Sequence, residues 1–188
     1  MKKLKPVIAV DADDTLWDFS GAFTRYHNRM YGSAVRFEDI RDYEWADAYG
    51  CGEAELVGRI DRFCESDKHG KLQPMPGCRE VLRQLSEDYI LHLLTARGSQ
   101  SRRRTMDLLD AHFSGLFSEH HFVGRGGSKA QMCLEHGVHS FIDDALHHAE
   151  SAIGATRVYL FDRPWNRVPH SSGITRVHSW DELYAHLR

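Results

Sequence analysis

Residues 6–18 read Pro6-Val7-Ile8-Ala9-Val10-Asp11-Ala12-Asp13-Asp14-Thr15-Leu16-Trp17-Asp18, and the fold turns on how they are read. Val7 to Val10 form a short apolar, β-branched run of the kind that fills the centre of a parallel sheet, buried on both faces. Asp11, Asp13 and Asp14 follow at once. Carboxylates buried apart from partners carry a large desolvation cost, so the strand is expected to end here and open to solvent. In open α/β sheets that carboxyl edge is where ligands bind. Two acids two residues apart, followed by the Thr15 hydroxyl, have the oxygens to hold a divalent cation and leave one carboxylate free to attack. The same residues also read as an acidic turn capping a helix, with Asp14 or Thr15 as N-cap.

Outward from this stretch, residues 19–76 change character: apolar residues recur at helical spacing without a convincing buried strand. Phe19, Phe23 and Tyr26 would line one helix face and Arg25 and Arg29 another. This segment reads as a small helical cap inserted after the first strand. Gln73-Pro74-Met75-Pro76-Gly77 reads as the hinge back to a main body made of residues 1–18 and 77–188. From there strands and helices alternate: a helix from Pro76-Gly77 through Leu85, a strand Tyr89–Leu94, a helix Ser99–His112, and a short strand His121–Gly124. A helix Ser128–His136, a strand Ser140–Ile142, a helix Ala145–Ile153 and a strand Arg157–Phe161 follow. Trp180–Leu187 closes the chain as a helix with Ser179 as N-cap. The predicted fold class is α/β, a doubly wound parallel sheet.

The 188 residues suffice for one sizeable core and a small second lobe. A net charge of -3 from 24 basic and 27 acidic residues demands neither a nucleic-acid polymer nor an acidic membrane as partner. Met1-Lys2-Lys3 begins with charge, but the apolar run that follows is too short for a signal segment, and nothing approaches a transmembrane length. A cytoplasmic protein is expected, with a homodimer left open. Cys51, Cys64, Cys78 and Cys133 show no CxxC pairing and read as free thiols. Arg102-Arg103-Arg104 reads as a solvated helix face. His120-His121 and His147-His148 read as surface pairs that do not face one site, offering at most a weak adventitious metal site.

Three more motifs carry chemistry. Leu93-Leu94-Thr95-Ala96-Arg97-Gly98 ends the second strand with a hydroxyl and free backbone N–H groups that can hold phosphate oxygens. Lys129, after Gly124-Arg125-Gly126-Gly127-Ser128, stands in the first turn of a helix, where a cation opposes the macrodipole; pairing with phosphate and a carboxylate explains it. Phe141-Ile142-Asp143-Asp144 repeats the strand-then-acids arrangement of Asp11 to Asp14.

In this order the four motifs resemble those of the haloacid dehalogenase (HAD) superfamily, most of whose members are magnesium-dependent phosphatases. The resemblance implies a sheet order of third, second, first, fourth and fifth strand. It implies catalytic roles for Asp11 as nucleophile, Asp13 as acid and base, and Thr95 and Lys129 as holders of the transferring phosphate, with Ala96 and Arg97 beside the substrate. It also implies a Mg²⁺ site formed by Asp11, the backbone carbonyl of Asp13, Asp144 and Asp143, with Asp144 the direct ligand of the last pair. An acid role at Asp13 requires a raised pKa, which a shielded site would favour, whereas Mg²⁺ and Lys129 would keep Asp11 ionised. Phe161-Asp162-Arg163-Pro164-Trp165-Asn166 is similar to a segment of the 5'(3')-deoxyribonucleotidases and related bacterial nucleotidases, although those enzymes typically have Gly-Val where this chain has Asp14-Thr15. Trp165 also reads as a simple cover for the sheet edge. A small-molecule phosphomonoester is then the expected substrate, a nucleotide first. The aromatics of the insertion (Phe19, Phe23, Tyr26, Tyr31, Phe37, Tyr43, Trp45, Tyr49) suit a base, Phe19 and Trp45 foremost, with Arg97, Arg41 or Arg163 reading its edge or the sugar. A phosphatase for sugar or amino-acid phosphates, and a non-catalytic HAD-fold binding module, are the alternatives.

Overall fold

The structure is a computed structural model describing residues 4–42 and 45–188; the charged start Met1-Lys2-Lys3 and Tyr43 lie outside the described residues. Six strands, β1 (Val7–Val10), β2 (Ile90–Thr95), β3 (Phe117–Phe122), β4 (Val138–Asp143), β5 (Arg157–Phe161) and β6 (Ile174–Val177), form one sheet. All neighbours are parallel, and the order is β3-β2-β1-β4-β5-β6. The order read from sequence is therefore present, with β6 added outside β5. Ile8, Ala9 and Val10 are fully buried, as the apolar run required. Because β2 and β4 flank β1, the chain direction switches beside Asp11, where α/β sheets leave a crevice.

Among the described residues there are, besides four single-turn 3-10 helices, seven α-helices: α1 (Phe19–Tyr31), α2 (Glu53–Glu65), α3 (Cys78–Leu85), α4 (Arg102–Phe113), α5 (Lys129–Glu135), α6 (Leu146–Ser151) and α7 (Trp180–Leu187). Strand alternation sends Ile8, Val10, Leu91 and Leu93 into a core with Leu82 of α3, Leu109 of α4 and Leu183 of α7. Ala9, Leu94, Phe141 and Leu160 point the other way, against Cys133 of α5 and Ala149 of α6. Ser179 caps α7 where the sequence placed it, its hydroxyl accepting from the Glu182 N–H.

Two strands depart from the sequence reading. β3 runs Phe117–Phe122 rather than His121–Gly124, because an edge strand of Phe-Ser-Glu-His-His-Phe has no apolar run to betray it. β6 was not foreseen: it spans four residues, of which only the terminal Ile174 and Val177 are buried. The placement of His120-His121 also differs, since both lie on β3, where neighbours point to opposite faces.

The helix after the first motif starts later than either candidate cap. Asp14 sits at φ +57 and its N–H bonds the Trp17 carbonyl, so the chain turns before α1 can begin. Asp18 is the N-cap, accepting from the Gly21 N–H, while the Asp14 carboxylate reaches Ser20 at both N–H (2.9 Å) and hydroxyl (2.8 Å). Phe19 and Phe23 are buried and Tyr26 packs on the same core, while Arg25 turns away to pair with Asp18. Between α1 and α3 the chain returns through Gln73–Gly77 alongside its own exit. Trp17 pairs with Pro74, the Asp18 N–H bonds the Gln73 carbonyl (3.2 Å), and the Met75 N–H bonds the Leu16 carbonyl (2.8 Å).

Candidate active site

Four strand-to-helix junctions converge at the carboxyl edge of the sheet. β1 delivers Asp11 and β4 delivers Asp143, with Asp144 next in the chain; α5 places Lys129 at its first position, and β2 ends in Thr95. The Lys129 ammonium is buried and donates to Asp11 Oδ1 at 2.5 Å and to Asp143 Oδ2 at 2.7 Å. The second Asp143 oxygen accepts from the Ala145 N–H (2.8 Å). Oxygens of Asp11, Asp143 and Asp144 all lie within 4.8 Å of one another.

This arrangement carries a charge surplus. Three buried carboxylates share one ammonium, and each stays ionised in a low-dielectric pocket only with compensating charge. Burial pushes the Asp11 carboxyl up to about 7; Lys129 opposes this, while Asp143 and Asp13 add to it. Burial together with Asp143, Asp14 and Asp11 pushes Asp144 well above the carboxylate range. Lys129, which burial alone would discharge, is held firmly protonated by Asp11 and Asp143. One further divalent cation would bring the cluster close to neutrality.

Asp13 differs. Its carboxylate is gripped by Arg97, with Nε at 2.8 Å and Nη2 at 2.6 Å, and accepts from the Trp17 indole at 2.9 Å. Burial raises its pKa, but Arg97 and the Trp17 bond outweigh burial and hold it below the usual value. The raised pKa expected from shielding is thus reversed, because a bidentate guanidinium stabilises the anion more than burial destabilises it. The Asp13 side chain is not part of the three-acid cluster. Arg97 also donates to the Thr105 hydroxyl, and its N–H bonds the Thr95 hydroxyl.

The Phe161–Asn166 segment does more than cover an edge. Trp165 Nε1 donates to Asp144 Oδ2 at 2.9 Å, and Asn166 Nδ2 holds the Asp144 carbonyl at 2.7 Å. Arg163, buried, donates from Nε and Nη2 to the Asp14 carbonyl at 3.0 and 2.5 Å. Sequence reading drew attention to this loop but not to these partners; polar tips aimed back across the sheet edge leave no periodic trace. Trp17 and Ser20, which orient Asp13 and Asp14, were missed for the same reason.

A cleft of about 780 Å³ opens above the cluster, within the range of small-molecule sites. Asp11, Thr95, Ala96, Arg97, Lys129, Asp143 and Asp144 line it from the sheet edge, together with Phe19, Trp45, Leu56 and Ile60 of residues 19–76, the Phe19 ring lying 5.6 Å from the Arg97 guanidinium. Phe19 is otherwise buried, its ring 5.4 Å from that of Phe63 and 6.5 Å from that of Phe23. Trp45 is half-buried, its ring 5.7 Å from that of Trp165. Arg41 is exposed and outside the cleft, and Arg163 is directed at backbone, so neither lines the cleft as base reader.

The fold and this site define a HAD-type hydrolase. A haloacid dehalogenase-like hydrolase of Streptococcus pneumoniae superposes with a TM-score of 0.70 at 17% identity, over 100% of both chains. The YfnB protein of Bacillus subtilis, solved bound to magnesium, gives 0.67 at 15% identity, over 99% of this chain and 100% of that one. The family model described as "5' nucleotidase, deoxy (Pyrimidine), cytosolic type C protein" matches residues 5–187, and the chain belongs to that family. Its relatives include a Halalkalibacterium halodurans protein provisionally named a nucleotidase, 26% identical over 94% of this chain and 89% of that one. The 5'(3')-deoxyribonucleotidase of Bacillus subtilis is 25% identical over 96% of this chain and 97% of that one. The protein is accordingly a phosphatase of the nucleotidase type. Among the described residues no helix is long and apolar enough to cross a membrane.

Proposed function

We propose that this protein hydrolyses nucleoside monophosphates, deoxyribonucleotides foremost, to nucleoside and phosphate through a phosphoryl group carried on Asp11. The observation that carries the reading is the Asp11–Lys129–Asp143–Asp144 cluster in a cleft that Phe19 and Trp45 also line. The printed name of the Bacillus subtilis relative supports the substrate class. Residues 19–76 act as the cap over this cleft in this reading.

The donor set fits Mg²⁺: all-oxygen ligands in a pocket with surplus negative charge. Asp11 and Asp144 would hold it, with the Asp13 backbone carbonyl. Asp144 is the better donor of the last pair, because one of its oxygens has only a 3.5 Å contact with the Thr15 hydroxyl, whereas both Asp143 oxygens are engaged. When bound, the cation neutralises charge between nucleophile and phosphate. Asp11 attacks phosphorus in line, and Lys129, the Thr95 hydroxyl and backbone N–H groups after Asp11 hold the transferring oxygens. Asp143 keeps Lys129 aimed at Asp11. Asp13 delivers a proton to the leaving oxygen and takes one from the attacking water. A substrate dianion competes with Asp13 for Arg97; as the guanidinium turns to phosphate, the Asp13 pKa rises toward a value suited to an acid.

Release of phosphate from a panel of nucleoside monophosphates, sugar phosphates and p-nitrophenyl phosphate tests the proposal. Sugar phosphates outrunning every nucleotide would remove the nucleotidase reading. Chelation is expected to abolish turnover and Mg²⁺ to restore it. Asp144→Asn should raise the Mg²⁺ concentration for half-maximal rate at least about tenfold, and more than Asp143→Asn does. The reverse ranking would exchange the two roles.

Stacking of a base on an aromatic side chain is worth about 1 to 3 kcal/mol. Trp45→Ala is therefore expected to lower kcat/KM for a nucleotide about tenfold to a hundredfold, with a smaller loss on p-nitrophenyl phosphate. Equal losses would assign Trp45 to packing. Phe19→Ala is the poorer probe, because Phe19 also belongs to the buried cluster with Phe23 and Phe63.

A further inference from the structure

The four residues His92, Glu119, His121 and His136 lie outside the catalytic cleft. Parallel pairing sets His92 of β2 opposite Glu119 of β3, and two-residue alternation brings His121 to the same face as Glu119. α5 crosses this face and ends at His136, its C-cap. Three elements far apart in sequence thus bring three imidazoles and a carboxylate to one point.

Four of the separations between their ligand atoms lie at or slightly above the edge length of a tetrahedral metal site. His121 Nε2 lies 3.3 Å from His92 Nδ1 and 3.3 Å from Glu119 Oε2. Glu119 Oε2 lies 3.4 Å from His136 Nδ1 and 3.9 Å from His92 Nδ1. One ligand atom from each residue falls within a 4.8 Å span. Metal–ligand bonds of about 2.0–2.1 Å in a tetrahedral site put the ligands about 3.3–3.4 Å apart, the edge of that solid. Side-chain exposure rises from 6% at His92 and 13% at His121 to 32% at His136 and 49% at Glu119, so the cluster has a buried base and an open mouth for ion entry. Burial, with the neighbouring imidazoles, holds His92 and His121 below the usual histidine value. Neutral imidazoles have the lone pair a metal needs.

We propose that His92, Glu119, His121 and His136 form a four-ligand site for a borderline-soft divalent transition metal, with Zn²⁺ the best match. Three imidazoles discriminate against Mg²⁺, which prefers oxygen donors in octahedral geometry, so this centre and the acidic cluster select different ions. The ion would tie edge strand β3 to β2 and to the far end of the helix that begins at Lys129, and its role is structural.

The test uses the full chain, stripped with chelator, then titrated with Zn²⁺ against a chromophoric competitor and with Co²⁺ by visible absorption. The intense bands of tetrahedral Co²⁺ are expected at one equivalent, and Zn²⁺ should raise Tm with concentration. His121→Ala and Glu119→Gln should each weaken Zn²⁺ binding at least about tenfold, the loss that even an outer partner's removal produces. Glu119→Gln keeps shape at an exposed position, so it reads the site even if His121→Ala folds poorly. Asp144→Asn should leave the Co²⁺ spectrum unchanged. Weak octahedral bands in the wild type, or loss of binding in Asp144→Asn but not in Glu119→Gln, would overturn the site.

Discussion

Asp11→Asn is expected to abolish turnover, lowering kcat by at least about a thousandfold, in a protein that stays folded. The change keeps the shape of the side chain and removes the anion proposed above to attack phosphorus. It should also stabilise the metal-free protein. Burial raises the Asp11 pKa from 3.8 to about 7, so the folded state binds this proton more tightly than the unfolded state. Ionised Asp11 therefore opposes folding, fully above about pH 7 and progressively less as pH falls from 7 toward 3.8. Asparagine does not titrate. In chelator, Tm of Asp11→Asn should exceed wild type at pH 8, with the gap closing toward pH 4. Kcat above about a hundredth of wild type would remove Asp11 as nucleophile. A Tm gap that does not change with pH would show that Asp11 carries no buried charge.

Lys129→Ala should act in the opposite sense on stability. It leaves two buried carboxylates without their ammonium, and breaking a buried pair from one side costs about 3–5 kcal/mol. For a chain of this size that is a fall in Tm of roughly 6–20 °C in chelator. Mg²⁺ should recover part of the loss, because it supplies charge to the same carboxylates. Activity should fall at least about a hundredfold even at saturating Mg²⁺ if Lys129 also holds the transferring phosphate, as the proposed function requires. Combining the two substitutions tests the shared origin: Asp11→Asn should reduce the cost of Lys129→Ala, a non-additivity expected only of groups in contact. A Lys129→Ala protein melting within about 2 °C of wild type would contradict the charge accounting of the cluster.

The central strands were legible in the sequence because burial on both faces writes itself as an apolar run, and the acids after Val10 and Ile142 stand out against such runs. The bounds of β3 and the existence of β6 were not, since edge strands need apolar residues on one side only. Their position also explains the histidines: His121 looks like half of a surface pair until strand pairing places it beside His92. Within the site, residue types and order were readable, but which carboxylate each donor serves was not. Nothing in the spacing says that Trp165 bonds Asp144 or that Arg97 grips Asp13, because those contacts join residues 21 and 84 positions apart. The reversal at Asp13 follows from the same limit: burial could be anticipated from sequence, the guanidinium that outweighs it could not.

The pairing of Trp17 with Pro74, beside the Leu16–Met75 bond, closes the base of the inserted segment as a hairpin closes its loop. Between two ends fixed in this way, length is a weak variable, because the entropy of a closed loop grows only with the logarithm of its size. The segment can lengthen or shorten between these ends at small entropic cost while the ends stay fixed near β1, whose end holds Asp11. Under the proposed function, substrate choice and phosphoryl chemistry become separable inheritances, able to diverge at different rates along one chain.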